Sequence, residues 1–294
     1  MKCNNCPRQC AVDRVTSRGF CLAGPEPEAA AICVHRGEEP PISGQRGICN
    51  IFFSHCNLQC LYCQNHAISR GNPVPRYVGV DAIADRVAQL LPQTENIVGL
   101  VSPSHYADSI PALVEALHSR GLFPTIVYNT GGYDSVETLR ALAPYIDVYL
   151  PDFKYADPLL AQRYSHAPDY PQVALAALRE MYNQKGSALP TDDRDIAFRG
   201  IIVRHLVLPG QVDNSLAVLD TLADISTNLH IALMAQYFPP ADNLPDQLGR
   251  TLTQEEYTLV TDHFHALGLH RGWVQELDAQ ANYRPDFTQD QPFH

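Results

Sequence analysis

Three cysteines lie close together in the segment FFSHCNLQCLYCQNHAIS, at Cys56, Cys60 and Cys63, with the spacing C-x3-C-x2-C. Thiolates are the usual ligands of iron–sulfur clusters, and a four-iron cluster normally takes four of them. A local set of three therefore predicts a cluster in which one iron is open to a substrate or cofactor. An open iron in a reducible cluster favours one-electron chemistry, so the rest of the chain is expected to fold around this loop.

Two other interpretations of the three thiols remain open. A zinc ion would need a further ligand, such as His55 or His66. The thiols are alternatively unrelated core residues, since free cysteine is among the most buried residue types. Zinc sites, however, usually contain two pairs of C-x2-C type. The aromatic Tyr62 and the apolar run 51–53 are typical of a strand that leads into a cluster loop, which favours the cluster.

Composition and charge exclude several classes of function. The net charge of −11 argues against a nucleic-acid partner, which requires a basic stripe, and against an anionic membrane surface. No apolar run approaches the roughly 18 residues of a spanning helix. The segment MKCNNCPRQC has no apolar core of a signal peptide. The nine cysteines are therefore expected to be metal ligands and core thiols in a cytoplasmic protein, rather than disulfides.

Apolar runs alternate with amphipathic stretches from residue 48 onward, which predicts an α/β fold with a parallel sheet wrapped by helices. The expected strands are 48–54, 96–101, 125–128, 146–150, 200–208 and 230–235, and the expected helices are 80–91, 109–120, 135–142, 173–185, 213–225 and 254–267. Six such units predict a partial (β/α)6 TIM-like barrel. The predicted domains are a small cysteine-rich head (1–47), the barrel (48–240), and a C-terminal helix and tail (241–294).

The C-x3-C-x2-C loop, with an aromatic residue before its last cysteine, resembles the signature of the radical S-adenosylmethionine (SAM) superfamily. The segments GEEPPISG, YNTGGY, YLPDFKY and LVLPG resemble the branch related to pyruvate formate-lyase-activating enzymes, in particular members with an extra cysteine-rich N-terminus. The resemblance covers most of residues 1–240. It implies an activating-enzyme-like oxidoreductase that cleaves SAM reductively at a [4Fe-4S] cluster. The resulting 5′-deoxyadenosyl radical would abstract hydrogen from a substrate, with a glycyl radical protein as one such partner.

Charged residues lie in or directly after the predicted strands, toward the ends where parallel β/α folds place their active sites. Arg204 is expected to hold the SAM carboxylate, because guanidinium binds carboxylates bidentately. A salt bridge inside the barrel is its alternative. Lys154 is expected to neutralise Asp152 or to reach the same carboxylate, and a local ion pair is its alternative.

The resemblance also implies a monovalent cation beside that carboxylate. Asn129, Thr130 and Asp152 match family positions that supply oxygen ligands, with the Leu150 carbonyl as a fourth. Oxygen ligands suit such a hard cation. Asn129 stands where characterised relatives have a carboxylate, so this cation site lacks one negative charge.

The segment after the second strand departs from the family pattern. A Gly-Gly-Glu-like segment that binds the SAM amino group is usual there, whereas this chain has LVSPSH. The hydroxyls of Ser102 and Ser104 are expected to accept hydrogen bonds from that ammonium. His105 is expected to contact SAM or the substrate, unless it is only a hydrogen-bonded loop residue. Tyr62 is expected to pack beside the adenine, with core packing as its alternative.

The head contains a second set of cysteines, spaced x2, x3 and x10: Cys3, Cys6, Cys10 and Cys21. Four thiols in a short, loop-rich segment predict a structural metal that stabilises a segment too small to form its own core. Zinc and a second iron–sulfur cluster are both open. Cys33 and Cys49 are expected in the core. Glu38 and Glu39 either border the active site or lie in a solvated loop.

Three hypotheses of different class follow from these patterns. The first is a radical SAM enzyme that acts on a protein or small molecule and receives electrons from a one-electron reductant. The second is a non-catalytic module whose cysteines only bind a structural metal. The third is an iron–sulfur electron-transfer protein that does not use SAM.

Overall fold

A computed structural model describes residues 2–281 and 284–293 of the chain. The strands are β1 Glu28–His35, β2 Ile48–Phe53, β3 Tyr77–Val78, β4 Ile97–Val101, β5 Thr125–Thr130, β6 Val148–Pro151, β7 Gly200–Leu206, β8 His230–Met234 and β9 Gly272–Val274. The helices are α1 Pro40–Ser43, α2 His66–Ser69, α3 Val80–Leu90, α4 Ile110–Ser119, α5 Val136–Leu142, α6 Pro158–Ser165, α7 Tyr170–Lys185, α8 Val212–Ile225 and α9 Gln254–Ala266.

The strands form a single sheet in the order β3-β1-β2-β4-β5-β6-β7-β8-β9. Every neighbouring pair from β2 to β9 is parallel, whereas β1 is antiparallel to both β2 and β3. All residues of β2 and β4 are buried, as expected for parallel strands covered on both faces. The α/β class predicted from the sequence is therefore confirmed.

The helices that follow the parallel strands cover the sheet through one apolar face each. In α3, Ile83, Ala84 and Val87 are buried at helical spacing and belong to the main hydrophobic core. Because each helix runs back along the sheet, the carboxyl ends of β2 and β4 to β8 meet at one edge. That edge is where the predicted site residues lie.

The sheet extends beyond the predicted barrel segment on both sides. β1 lies within the predicted head (1–47) but pairs with β2 along its length. At the other end, β9 lies in the predicted C-terminal segment and pairs with β8. The tail contacts the sheet as well. The rings of Phe287 and Phe293 pack against Phe52 of β2 with centroid distances of 5.5 and 5.4 Å.

Among the described residues, no helix is long and apolar enough to cross a membrane.

Candidate active site

A cavity of about 420 Å³ opens at the carboxyl ends of the parallel strands. Its walls come from β2 and from the loops after β2, β4, β5, β6 and β8, with Arg204 of β7 reaching in from one side. Cavities of this size suit a small molecule or cofactor. The predicted site residues that line it are Cys56, Cys60, Cys63, Tyr62, Ser102, Asn129, Thr130, Asp152, Lys154 and Arg204.

The loop after β2 brings the three cysteines to this cavity. Cys56, Cys60 and Cys63 all line it, and their thiols are close enough to influence one another's ionisation. The backbone of His55 and Gln59 is in the left-handed region, with φ of 72° and 53°. Residues other than glycine rarely adopt that conformation, and here it folds the loop back so that the thiols share one wall.

Each thiol of the loop accepts a hydrogen bond from the chain. The Leu58 amide donates to Cys56 Sγ (3.4 Å), Ser165 Oγ donates to Cys60 Sγ (2.9 Å), and Ser69 Oγ donates to Cys63 Sγ (3.4 Å). Hydrogen bonds to cluster sulfurs are one of the levers that set a cluster's potential. These donors would stabilise the thiolates of a bound cluster.

Burial and, to a smaller extent, the neighbouring thiols Cys60 and Cys63 raise the pKa of Cys56 to about 12. Burial also raises the pKa of Cys60 above its ordinary value. Without a metal centre, the Cys56 and Cys60 thiols would stay protonated at neutral pH. A metal centre that binds them as thiolates must therefore release their protons.

Within residues 2–281 and 284–293, no three His, Cys, Asp or Glu side chains stand close enough to hold one metal ion. The histidines proposed for a zinc site are also engaged elsewhere: His55 Nε2 lies 3.1 Å from Glu28 Oε2, and His66 Nδ1 lies 3.2 Å from the Cys63 carbonyl. An iron–sulfur cluster binds each thiolate on a different iron, so its ligands stand farther apart than those of one ion. Three thiols that line one cavity, each with a hydrogen-bond donor, fit an iron–sulfur cluster.

Arg204 is the centre of the charged network in the cavity. Its guanidinium donates to Asp152 Oδ1 (2.8 Å), Asn129 Oδ1 (2.6 Å) and Glu38 Oε2 (3.3 Å). Lys154 Nζ donates to the other oxygen of Asp152 at 2.5 Å. The two predicted cation ligands Asn129 and Asp152 are thus joined by a guanidinium.

The charges of this network stabilise one another. Burial by itself would raise the pKa of Asp152, but Arg204 and Lys154 hold it below its usual range. Burial would likewise lower the pKa of Arg204, yet the negative charges of Asp152, Glu39 and Glu38 raise it overall. Asp152, Lys154 and Arg204 are therefore all ionised at neutral pH.

Ser104 and His105 were both predicted to contact SAM, and neither lines the cavity. Ser104 Oγ and Thr130 Oγ1 are 3.1 Å apart, and Thr130 donates to buried Asp134 at 2.6 Å. His105 is fully buried, with Nε2 2.8 Å from the Ser54 carbonyl, and burial lowers its pKa to about 3. The structure thus gives Ser104 and His105 internal partners, and it bonds the Thr130 hydroxyl to Asp134.

Tyr62 lines the cavity but is only 4% exposed. Its ring packs edge to face against Tyr155, Tyr164 and Tyr237 with centroid distances of 6.2 to 6.3 Å. This aromatic group fixes the ring beside the cysteine loop. Both sequence-based interpretations of Tyr62, core packing and a place at the cofactor, are thus compatible with its position.

Glu38 and Glu39 line the cavity, although the sequence left open whether they lie in a solvated loop. Glu38 accepts from Asn50 Nδ2 (2.8 Å) as well as from Arg204. Oε2 of Glu39 is buried without a hydrogen-bond partner among the described residues, and burial raises the pKa of Glu39 to about 7. The sequence feature that could have indicated their place at the cavity is the acidic pair directly before Pro40–Pro41, because the two prolines end the loop.

Glu39 should make the stability of the protein depend on pH. Because its pKa is higher in the folded state, the stability it contributes is full below the ordinary carboxyl pKa and is lost as pH rises through about 7. We expect the free energy of unfolding of Glu39→Gln to equal that of the parent protein at about pH 4 and to exceed it at about pH 8. Guanidinium unfolding at both pH values measures the difference. Identical pH profiles for the two proteins would contradict the burial of an ionisable Glu39.

The four cysteines of the head meet around a second, small cavity, which is lined by Cys3, Cys6, Cys10 and Cys21. The Phe20 amide donates to Cys10 Sγ at 3.4 Å. A Cβ on Gly19 would lie 2.9 Å from that sulfur, so only glycine lets the chain approach it. All four head cysteines thus border one cavity, and a metal bound there stays a prediction. Cys33 and Cys49 are core residues, 2% and 0% exposed.

Comparison with known proteins identifies the family. The sequence model of the radical SAM superfamily matches residues 50–222, which is more than half of the chain. The chain therefore belongs to the radical SAM superfamily, and its members are enzymes that use a [4Fe-4S] cluster and SAM.

Individual relatives are more distant. The chain is similar to the uncharacterized protein MJ0674 of Methanocaldococcus jannaschii, with 28% identity over 269 residues that cover 86% of this chain and 71% of that protein. Among solved structures it is similar to SuiB of Streptococcus suis, determined bound to S-adenosylmethionine, with 14% identity and a TM-score of 0.47 over 76% of this chain. SuiB bound to its precursor peptide SuiA gives 15% identity and the same TM-score. The chain spans about half the length of SuiB, 48% and 46% in the two structures.

Proposed function

We propose that Cys56, Cys60 and Cys63 hold the [4Fe-4S] cluster of this radical SAM enzyme, with its fourth iron facing the cavity. The observation that carries the proposal is that all three thiols line the same cavity as the Arg204–Asp152 network. When bound, the cluster supplies the electron that cleaves SAM to methionine and a 5′-deoxyadenosyl radical for hydrogen abstraction. The protein's residues orient SAM and exclude water.

The partial (β/α)6 barrel is proposed on the curvature of the sheet. Phe52 of β2 and Met234 of β8 line the same cavity although their strands are five places apart in the sheet, and Gln64 Nε2 of the loop after β2 donates to the Gln236 carbonyl after β8 at 3.0 Å. A flat sheet would keep these strands apart. The six parallel strands also contribute to one apolar layer: Ile48, Ile97, Val127, Val148, Leu150, Ile202 and Ala232. In barrels of this kind the interior is filled by such layers and the site lies above them.

Lys154 and Arg204 are the cationic groups of the cavity, and we assign them to the SAM carboxylate. Both already pair with Asp152, so a carboxylate entering the cavity would share donors that are in place. Ser102 lines the cavity after β4 and is assigned to the SAM ammonium. Tyr62 is assigned to the adenine side, next to the cysteine loop.

Arg204 takes the place of the monovalent cation in this proposal. Its guanidinium bridges Asn129 and Asp152, and the Thr130 hydroxyl is bonded to Asp134 instead. Position 129 carries an amide, and Arg204 and Lys154 together already pair with Asp152. The residues present thus fit an internal guanidinium better than a bound ion.

The head cysteines are assigned to a structural metal, either a second iron–sulfur cluster or zinc. The described residues show no three ligand-type side chains at the spacing of one ion, which favours a larger centre or a rearrangement on binding zinc. The sequence segments shared with activating enzymes favour a protein partner, such as a glycyl radical protein. A small-molecule substrate is the alternative.

Anaerobic reconstitution with iron and sulfide tests the proposal. We expect about four iron per chain for the cysteine loop, and formation of 5′-deoxyadenosine and methionine when SAM and a one-electron reductant are added. Zinc measured in the same preparation assigns the head. A reducible cluster that does not cleave SAM would indicate an electron-transfer protein, and zinc without iron would indicate a non-catalytic module.

A further inference from the structure

Ser165, the last residue of α6, contacts the cysteine loop without lining the cavity. Its side chain is fully buried, and its hydroxyl donates to Cys60 Sγ at 2.9 Å. This is the shortest of the three hydrogen bonds to the loop thiols. The Tyr155 hydroxyl lies 2.7 Å from Ser165 Oγ.

The direction of these hydrogen bonds is determined once Cys60 is a thiolate. A thiolate has no proton to donate, so the single hydroxyl proton of Ser165 must point to Cys60. Tyr155 must then donate to Ser165 Oγ. Two hydrogen bonds in series polarise each other, which strengthens the bond to the sulfur.

Arg8 of the head holds the end of α6 on which Ser165 lies. Its guanidinium donates to the carbonyls of Ser165 (3.1 Å), His166 (2.6 Å) and Asn57 (2.9 Å). The last carbonyls of a helix have no partner within the helix, and a cation there is favourable. The guanidinium also lies over the Phe20 ring, 3.8 Å from its centroid. Arg8 therefore ties α6 and the cysteine loop together.

The same arginine connects the two sets of cysteines. Arg8 stands between Cys6 and Cys10 in the sequence, so the fold of the head sets its position. A second contact runs from Gln59 Nε2 of the cysteine loop to the Phe20 carbonyl at 2.9 Å. The head is thus hydrogen-bonded to the loop through Arg8 and Phe20, and also through Glu28 to His55.

We propose that Ser165 is a positioning residue that stabilises the reduced cluster through Cys60, and that Arg8 holds Ser165 in place from the head. This inference rests on the proposed cluster at the cysteine loop. Reduction adds one negative charge to the cluster and its thiolates. A donor to sulfur therefore stabilises the reduced form more than the oxidised form, and raises the reduction potential.

The test is the midpoint potential and the EPR spectrum of the reconstituted cluster without SAM. We compare the parent protein with Ser165→Ala and Ser165→Thr, and with Ser215→Ala as a matched control. Ser215 is equally buried, at 1% exposure, but bonds to His205 instead. We expect Ser165→Ala to make reduction about tenfold less favourable, which is about 59 mV for one electron. Ser165→Thr keeps the hydroxyl and should restore the potential, while Ser215→Ala should not change it.

Arg8→Ala tests the second half of the proposal. It should lower the potential in the same direction, and the double variant with Ser165→Ala should show no further shift, because both changes remove one linked interaction. If Ser165→Ala binds no iron while Ser165→Thr and Ser215→Ala bind the full amount, the hydroxyl is needed to position Cys60, which also supports the proposal. A fully loaded Ser165→Ala protein with the parent potential and EPR spectrum would overturn it. Failure of the parent protein to form a reducible cluster would instead overturn the proposed function.

Discussion

Replacing Cys60 by alanine is expected to abolish SAM cleavage, and Cys56→Ala and Cys63→Ala should have the same effect. The three thiols line one cavity, and a cluster with only two thiolates has lost a corner of its binding site. We expect 5′-deoxyadenosine formation to fall by at least about a thousandfold, equivalent to about 4 kcal/mol at the barrier. Product is measured chromatographically under reductant, together with the iron content of each variant.

Cys33→Ala is the matched control for these variants. Cys33 lies on β1, is 2% exposed and belongs to the same apolar cluster as Phe52 of β2. It does not line the cavity. It should keep the parent iron content and activity. Full SAM cleavage by Cys56→Ala would show that the cluster is not held where we place it.

Arg204→Met is expected to destabilise the fold and to weaken SAM binding. Removing the guanidinium leaves the partly buried Glu38 and one oxygen of Asp152 without their cationic partner, at side-chain exposures of 10% and 16%. Breaking a buried pair from one side typically costs about 3–5 kcal/mol in the free energy of unfolding. Chemical denaturation measures that loss, and calorimetric titration of the reconstituted protein measures SAM affinity.

Two further variants separate charge from packing in this prediction. Arg204→Met combined with Asp152→Asn removes both charges, and should recover part of the stability but none of the SAM affinity. Arg120→Met removes an arginine that pairs with the exposed carboxylates of Asp81 and Asp85, and should cost much less stability than Arg204→Met, because solvent screens exposed ion pairs. If Arg204→Met lost no more stability than Arg120→Met, the charged network around Arg204 would not stabilise the fold as we propose.

The parallel sheet could be predicted because its strands are short apolar runs separated by amphipathic helices. The runs at 48–54 and 96–101 became β2 and β4 with ends shifted by one residue. β1 was missed because its EAAAICVH segment is rich in alanine, which has little preference for strands. Pairing with β2 overrides that preference. β9 has only three residues, too few for a periodic pattern.

The site could be predicted in part, because strand ends indicate which residues approach one another but not where each side chain turns. Asp152 and Arg204 were both expected at the site, and their strands place them side by side. Ser104 and His105 follow β4 equally closely, yet a 3₁₀ turn over Ser104–Ser109 directs them inward. The bond from Ser165 to Cys60 joins residues 105 positions apart, and no local pattern in the sequence indicates it.

The most direct test of the central claim is the EPR spectrum of the reduced, reconstituted protein before and after SAM is added. If the cysteine loop holds a cluster with one iron open to the cavity, SAM binds that iron and the signal changes shape. The change should be absent in Cys60→Ala and present in Cys33→Ala. A cluster signal that is identical with and without SAM would contradict an open iron at this site.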